Sequence, residues 1–348
     1  MAVAEETLIL VDIPSPSGSE QAMYDYLRSA VPLDRVFDDG ESLIFAVRRG
    51  GPLVLLAGHT DTVPAQGNLP GRIEDGAVVG LGASDMKGGL AVMVELARWA
   101  ADHPGLGCDV AFLFFPREEL GPDANPLPRV FERTDLVDEA RLVICLEPTD
   151  NTLQLGCLGN VSAHVTFEGR SAHSARPWAG ANAITLAFEG LEPILHFEPL
   201  DVPVEGLVFR EVVSVTELHA GIAANVVPGR AVATVNYRYP PGRTPGQAEA
   251  RLRELVGGEL EILANSPPAH VPVESPLLDA LAELGGLERQ PKQAWTNVAD
   301  FAERGLDAVN LGPGATRYAH AVDERVEIAE LERTLAVLQR FLAGSVPS

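Results

Sequence analysis

Cysteine and basic residues are scarce in this sequence, and long apolar runs are missing from it. Its 348 residues include three cysteines without C-x-x-C spacing, which excludes a disulfide framework and a cysteine-type zinc site and fits a reducing cytoplasm. Lysine and arginine total 26 against 49 acidic residues, a formal net charge of −23, which disfavours nucleic acid and anionic membranes as partners. No stretch approaches the ~18–20 apolar residues of a membrane helix, and the N-terminus lacks the basic start of a signal peptide. We therefore expect a cytoplasmic protein that binds neither nucleic acid nor membrane.

The apolar content is that of an ordinary globular protein. Hydrophobic residues make up 46% of the chain, and its length suggests about two domains of roughly 100–200 residues each. Internal repeats and low-complexity segments are not found. The glycine pair at 88–89 has no G-x-G-x-x-G or P-loop spacing around it, so it does not indicate a phosphate-binding loop.

Short, nearly continuous apolar runs alternate with helical patterns in the first and last parts of the chain. The runs cover residues 53–57, 110–115, 142–146 and 308–311. Such runs are typical of strands that are buried on both faces of a parallel sheet. Helices are predicted at 19–30, where Ser17 and Glu20 have the spacing of a capping box, and at 86–101 and 328–342. The alternation predicts an α/β domain with a doubly wound, mostly parallel sheet.

The middle of the chain follows a different pattern. Strands are predicted at 160–167, 211–218, 231–239 and 260–263, and helices at 181–191 and 246–255. Their order, β-α-β-β-α-β, is that of a ferredoxin-like α+β domain. We therefore predict a catalytic domain in two pieces, 1–157 and 273–348, with an inserted domain at 158–272.

Side chains that can bind metals follow the ends of the predicted strands. They are His59 and Asp61, then Glu118 and Glu119, then Glu147, and after a longer loop His320, while Asp85 directly precedes a predicted helix. The carboxyl ends of the strands share one edge of an open α/β sheet, so these side chains are expected to converge in one crevice. A divalent ion with nitrogen and oxygen ligands is suited to hold so much negative charge together. The number of ligands fits two ions that share a bridging carboxylate.

Two of these positions indicate hydrolytic chemistry. Asp61, two residues after His59, is placed to accept the imidazole N–H and to fix the tautomer of the ring. The neighbours Glu118 and Glu119 point in different directions at a strand end, so that one can bind metal while the other acts as general base. The pattern predicts a metal-dependent hydrolase that activates water for attack on an amide.

Several motifs resemble those of a known family. The segments are GHTDTVP at 58–64, GASDMKGG at 82–89, the Glu118-Glu119 pair and Glu147-Pro148. This set is similar to that of the co-catalytic zinc peptidases, which include aminoacylase, acetylornithine deacetylase and succinyl-diaminopimelate desuccinylase. The resemblance implies two divalent ions, zinc or alternatively cobalt or manganese, and a cis peptide between Asp85 and Met86. It assigns His59 and Glu147 to one ion and Glu119 and His320 to the other, with Asp85 as the bridge and Glu118 as the base.

The resemblance extends to the inserted domain, for which it implies the roles of lid and dimerisation domain. The segment SAHS at 171–174 is similar to one whose histidine reaches into the partner subunit's site. His173 is thus expected to be a catalytic residue that acts across a homodimer. Asn225 and Arg238 match substrate-binding positions, and Arg176 and Arg317 are further candidates for binding a small anionic N-acyl amino acid.

Four segments resemble the actinobacterial type of succinyl-diaminopimelate desuccinylase. They are EPTDN at 147–151, AHSARPW at 172–178, WTNVA at 295–299 and AHAVDERV at 319–326. This implies hydrolysis of N-succinyl-LL-diaminopimelate in the biosynthesis of lysine. The chain has WTN where other desuccinylases have GGT, and it has Cys157-Leu158 where they carry arginines. N-acetylornithine or a dipeptide therefore stays open as the substrate, as does a catalytically inactive metal-binding scaffold, in which Glu118 would have no use.

Overall fold

The computed structural model describes residues 2–344, which form two compact units. The first unit comprises the chain up to Leu155, Pro272–Gln290, and the chain from Asp300 onwards, and the second comprises Gly156–Val271 and Pro291–Ala299.

The segment 291–299 thus groups with the second unit, whereas the sequence predicts it in the catalytic domain. Long-range hydrogen bonds explain the difference, because the Gln293 amide binds the backbone of Val208 and Arg210. The Trp295 indole N–H also donates to the carbonyl of Pro267.

The elements alternate along the chain much as the apolar pattern predicts. In chain order the strands are β1 (Asp34–Asp38), β2 (Leu43–Val47), β3 (Leu53–His59), β4 (Arg72–Glu74), β5 (Ala77–Val79), β6 (Asp109–Phe115), β7 (Ala140–Cys145), β8 (Leu153–Leu155), β9 (Gly159–Glu168), β10 (Ala172–His173), β11 (Leu200–Val204), β12 (Leu207–Ala220), β13 (Val226–Val227), β14 (Arg230–Tyr239), β15 (Glu259–Ser266), β16 (Arg289–Pro291), β17 (Ala308–Asn310) and β18 (Arg325–Glu327). The α-helices are α1 (Ala2–Val11), α2 (Gln21–Ala30), α3 (Gly88–Asp102), α4 (Leu127–Arg133), α5 (Ala183–Leu195), α6 (Pro245–Leu255), α7 (Pro276–Gly285), α8 (Val298–Glu303) and α9 (Ile328–Ala343).

The main sheet has the strand order β1-β2-β6-β3-β7-β17-β8-β16. Its central strands β6, β3, β7 and β17 pair in parallel, whereas β1 with β2, β2 with β6, and β8 with β17 pair antiparallel. Every residue of β3 and β6 is buried, as their continuous apolar sequence predicts. The predicted α/β fold with a mostly parallel sheet is confirmed. The parallel strands end at one edge, and the predicted metal-binding residues follow there.

The start of α2 differs from its prediction. The helix begins at Gln21, and Glu20, at its N-cap, makes no side-chain capping bond to it. The Ser17 hydroxyl instead donates to the Asp61 carboxylate at 2.7 Å, and the Glu20 carboxylate accepts the N–H of Gly18 at 2.7 Å. The predicted capping box is therefore wrong, because a distant carboxylate binds the serine.

The second unit contains a five-stranded sheet in the order β11-β12-β14-β9-β15, with antiparallel pairs throughout. Alternate residues of β9 and β14 pack with α5 and α6 in an apolar core, as expected for the ferredoxin-like arrangement. The edge strand β11 was not predicted, because Pro203 and the acid at Asp201 are unusual in strands.

Both lysines of the chain are buried, and one lies in each unit. Lys87 is 1% exposed and Lys292 is 4% exposed. The Lys87 ammonium donates to the carbonyl of Ile13 at 2.8 Å. The other 24 of the 26 lysine and arginine residues are arginines. Among residues 2–344 no helix has the length and apolarity needed to cross a membrane.

Candidate active site

The first unit brings the predicted metal-binding side chains to one edge of its main sheet. His59 is the last residue of β3, Glu118 and Glu119 lie in a 3-10 turn after β6, Glu147 follows β7, and His320 follows a 3-10 turn after β17. Asp85 lies in a kinked turn directly before α3, with non-helical backbone angles of φ −124° and ψ 93°, and the peptide between Asp85 and Met86 is cis. Gly89 allows α3 to start against the end of β7, since a Cβ there would lie 2.3 Å from the carbonyl oxygen of Leu146.

Asp85 lies between the two histidines. Its Oδ1 is 3.1 Å from Nε2 of His59, and its Oδ2 is 3.7 Å from Nε2 of His320. Glu147 Oε1 is 3.8 Å from His59 Nε2, and Glu119 Oε1 is 3.0 Å from His320 Nε2. The donor atoms of His59, Asp85 and Glu147 lie within 4.8 Å of one another, and so do those of Asp85, Glu119 and His320. Two neighbouring ligand sets thus share one carboxylate.

The charges in this cluster strongly influence one another. Burial lowers the pKa of His59, but hydrogen bonds to Asp61 and Asp85 outweigh it, so the pKa lies well above its ordinary value. The hydrogen bond to Glu119 raises the pKa of His320 to about 9. Burial raises the pKa of Glu118 well above its ordinary value, and nearby carboxylates act in the same direction. Such a concentration of acids requires cations for charge balance.

The donor set fits a divalent metal ion. Imidazole nitrogens and carboxylate oxygens are the ligands of zinc, cobalt and manganese sites in hydrolases. His59 Nδ1 is 3.1 Å from the carbonyl oxygen of Asp61. A proton on Nδ1 leaves the lone pair of Nε2 for a metal. The cluster is therefore a candidate metal-binding site built from histidine and acidic residues.

Asp61 organises the backbone beside this cluster. Its fully buried carboxylate accepts the N–H groups of Glu118 at 3.0 Å and Glu119 at 3.2 Å, and the hydroxyl of Ser17. The carboxylate is 3.5 Å from His59 Nδ1, which is farther than the Asp61 carbonyl. The side chain thus holds the glutamate pair, while the main chain of Asp61 makes the shorter contact with the imidazole.

Other residues that shape the site were missed in the sequence. Arg117 adopts a left-handed backbone with φ 64°, and its guanidinium makes two hydrogen bonds to Glu41. Glu324 is buried against the turn that carries Asp85. Glu324 lies in the AHAVDERV segment at 319–326, but that resemblance assigned it no role. No local pattern connects Glu41 with Arg117.

Three predicted residues of the second unit lie together and are exposed. His173 pairs with Val226 between β10 and β13, and its carbonyl accepts the N–H of Arg176. The carbonyl of Asn225 accepts the N–H of Ser174 at 2.9 Å. His173 Nδ1 accepts the N–H of Ala175 at 3.0 Å, which places the proton of the neutral ring on Nε2.

The two other predicted arginines have different surroundings. Arg238 is half-buried on β14, and its Nε donates to Oδ1 of Asn236 at 2.8 Å. Burial lowers the pKa of Arg238. Arg317, in the first unit, is exposed, lies over the ring of Tyr318, and pairs with Asp150 at 3.2 Å.

Comparisons with known proteins agree with this geometry. Residues 55–344 match the model of peptidase family M20/M25/M40. The chain is 34% identical over 350 residues to a Mycobacterium tuberculosis protein provisionally named succinyl-diaminopimelate desuccinylase DapE, and the match covers 98% of each chain. It is 32% identical to the succinyl-diaminopimelate desuccinylase of Corynebacterium glutamicum, with 96% of this chain and 94% of the other covered.

The fold also occurs in solved structures. A tripeptidase from Staphylococcus aureus has a TM-score of 0.80 at 20% identity, with 98% of this chain and 97% of the other covered. An M20 family metallo-carboxypeptidase from Sulfolobus solfataricus has a TM-score of 0.76 at 19% identity, with 98% of each chain covered. The match to the family model over most of the chain shows that this protein belongs to peptidase family M20/M25/M40.

Proposed function

We propose that this chain hydrolyses N-succinyl-LL-diaminopimelate, with water, to succinate and LL-diaminopimelate. The observation that carries the proposal is the cluster in which Asp85 lies between His59 and His320. The similarity over nearly the full length to two proteins named as desuccinylases supports the choice of substrate. The product would enter lysine biosynthesis. A cytoplasmic location fits the three cysteines, which are buried and form no disulfide bond with one another.

The site would hold two divalent ions, zinc or alternatively cobalt or manganese. The ligands of one would be His59, Asp85 and Glu147, and those of the other Asp85, Glu119 and His320. When bound, such ions act as Lewis acids that polarise the scissile carbonyl and make water more acidic. Asp85 can serve both positions, because its two oxygens face different histidines.

Glu118 is the general base of this proposal. Within the described residues no hydrogen bond or ion pair occupies its carboxylate, whereas Glu119 contacts His320. Asp61 holds the backbone N–H groups of both glutamates and so fixes their separate directions. Glu118 takes a proton from the attacking water and passes it to the leaving amine.

His173 would act across a homodimer formed through the second unit. Its exposure, and the hydrogen bond that Nδ1 accepts from Ala175, leave an Nε2–H that can donate to a developing oxyanion. Asn225 and Arg176, which lie beside it, would contact the same substrate. Sedimentation of the fully active protein as a monomer would exclude this role.

Arg238 would bind the free carboxylate of the succinyl group. No carboxylate of the described residues pairs with it, although the chain is strongly acidic. Asn236 orients its guanidinium through Nε, and Asn160 in turn accepts from the Asn236 amide at 2.8 Å. The remaining guanidinium nitrogens can donate to an anion. Arg317, which already pairs with Asp150, would be a further contact at the substrate.

Replacing Arg238 by leucine should therefore affect succinyl substrates selectively. Hydrogen bonds to charged groups contribute about 1.5–3 kcal/mol, so KM for N-succinyl-LL-diaminopimelate should rise about 10- to 100-fold. Turnover of N-acetyl-LL-diaminopimelate, which lacks that carboxylate, should change little. Arg230→Leu on the same strand is the matched control, because Arg230 is exposed and pairs with Glu168. Equal losses on both substrates would contradict the assignment.

The function itself is tested by amide hydrolysis with a panel of substrates. Purified protein with zinc is assayed on N-succinyl-LL-diaminopimelate, N-acetylornithine and a dipeptide, before and after chelation. We expect chelator-sensitive hydrolysis of the succinyl substrate with much weaker activity on the others. Preference for the acetyl substrate or the dipeptide would contradict the proposed substrate but not the proposed chemistry. Failure on all three substrates with metal bound would contradict the proposal.

A further inference from the structure

Glu324 is a buried carboxylate that none of the roles above uses. Its side chain is 1% exposed. Oε2 accepts the N–H of Gly82 at 2.7 Å, and Oε1 accepts those of Ser84 at 3.1 Å and Asp85 at 2.9 Å. The carbonyl of Glu324 also accepts the N–H of Gly80 at 2.9 Å. One residue thus binds four backbone donors of the turn that leads to Asp85.

A carboxylate suits this position better than a side-chain amide. Burial raises the pKa of Glu324 to about 7, while the three N–H groups that converge on its two oxygens act in the opposite direction and favour the charged form. The side-chain amide of a glutamine has one oxygen acceptor, and its NH₂ group would face a backbone donor. The turn is also closely packed, because a Cβ on Gly314 would lie 2.4 Å from the carbonyl oxygen of Ser84. The backbone therefore has little room to rearrange around a poorer partner.

We propose that Glu324 is a positioning residue that aims the Asp85 carboxylate at both histidines. The inference rests on the proposed two-metal function. Because Glu324 fixes the N–H of Asp85, it sets where the side chain leaves the backbone, with Oδ1 towards His59 and Oδ2 towards His320. Glu324 and His320 belong to one short segment. That segment thus supplies His320 at one end. At its other end, Glu324 orients the Asp85 carboxylate, which faces His320.

The test measures metal binding to the metal-free protein, independently of turnover. Glu324→Gln is compared with the wild type and with Glu327→Gln, an exposed glutamate three residues later on β18. Calorimetry gives the affinity for Zn²⁺, visible absorption of the Co²⁺ form reports the ligand geometry, and thermal unfolding without metal reports the fold. Residues that orient metal ligands typically contribute 10–100-fold to affinity. We expect a loss of this size in E324Q together with an altered Co²⁺ spectrum, and wild-type values in E327Q.

Wild-type affinity and an unchanged Co²⁺ spectrum in E324Q would overturn the inference, even if the metal-free protein melted earlier. If E324Q does not fold, Glu324→Asp is measured instead, because it keeps the carboxylate but shortens the side chain by one methylene. Wild-type metal binding in that variant would equally overturn the inference. The outcomes separate the two proposals. If the wild-type protein binds metal but does not cleave the succinyl substrate, the proposed function is contradicted. If the wild type is active and E324Q binds metal as well as the wild type does, only the role of Glu324 is contradicted.

Discussion

Replacing Glu118 by glutamine is expected to lower kcat by about 10²–10⁴-fold while the bound metal is retained. The Glu118 carboxylate lies near His59 and Glu119, and no hydrogen bond of the described residues occupies it. Glutamine has nearly the same shape but cannot take a proton from water. Steady-state hydrolysis of the succinyl substrate gives kcat, and atomic emission gives the number of ions per chain.

Asp123→Asn is the matched control for this variant. Asp123 is an exposed acid five residues after Glu118, and surface substitutions of this kind usually change stability by no more than about 0.5 kcal/mol. Its kcat should stay close to that of the wild type. Because Glu118, His59 and Glu119 could also form a ligand set, loss of metal from Glu118→Gln would contradict a role as base and indicate a role as ligand. A kcat within tenfold of the wild type would contradict both.

Replacing Asp85 by asparagine should reduce both metal binding and activity. The two oxygens of Asp85 face His59 and His320, whereas the asparagine side chain has a single oxygen and can complete only one of the two ligand sets. Lewis-acid stabilisation lowers the activation barrier by several kcal/mol, and about 4 kcal/mol corresponds to roughly a 10³-fold change in rate. We expect kcat/KM to fall by at least that factor, with fewer ions bound per chain.

The decisive measurement for this variant is metal stoichiometry against added zinc. Asp75→Asn, in the exposed turn between β4 and β5, serves as control, and it should bind as many ions as the wild type. Two ions per chain in Asp85→Asn at wild-type affinity would exclude the bridging role, whatever the activity. Circular dichroism of both variants confirms that the fold is intact.

The edge of the sheet that carries the candidate site could be predicted from the sequence. Strands buried on both faces must be apolar throughout, so the first polar side chains after them stand out at the strand ends. His59 and Glu147 were found in this way, and the strands observed before them confirm the reasoning. Asp85 was included because it directly precedes a predicted helix, but its role as the bridge came only from the resemblance of its motif to a known family.

The parts that could not be predicted depend on contacts between residues far apart in the chain. Ser17 has the spacing of a helix cap, but its hydroxyl binds Asp61, 44 positions away. Glu324 accepts its hydrogen bond from Gly82 across 242 positions. The segment 291–299 is placed by hydrogen bonds to residues near 208 and 267. No local propensity or periodicity contains this information, since the two partners come into contact only when the chain folds.

Because both lysines are buried, cleavage after lysine can report the local unfolding of each unit. A protease that cleaves only after lysine has no accessible site in the folded protein, because Lys87 and Lys292 are both buried. Cleavage therefore requires opening of the region around one of them. Since Lys87 lies in the first unit and Lys292 in the second, the sizes of the fragments tell which unit has opened. Pulse proteolysis with and without zinc could thus follow the unfolding of the two units separately in the unmodified protein.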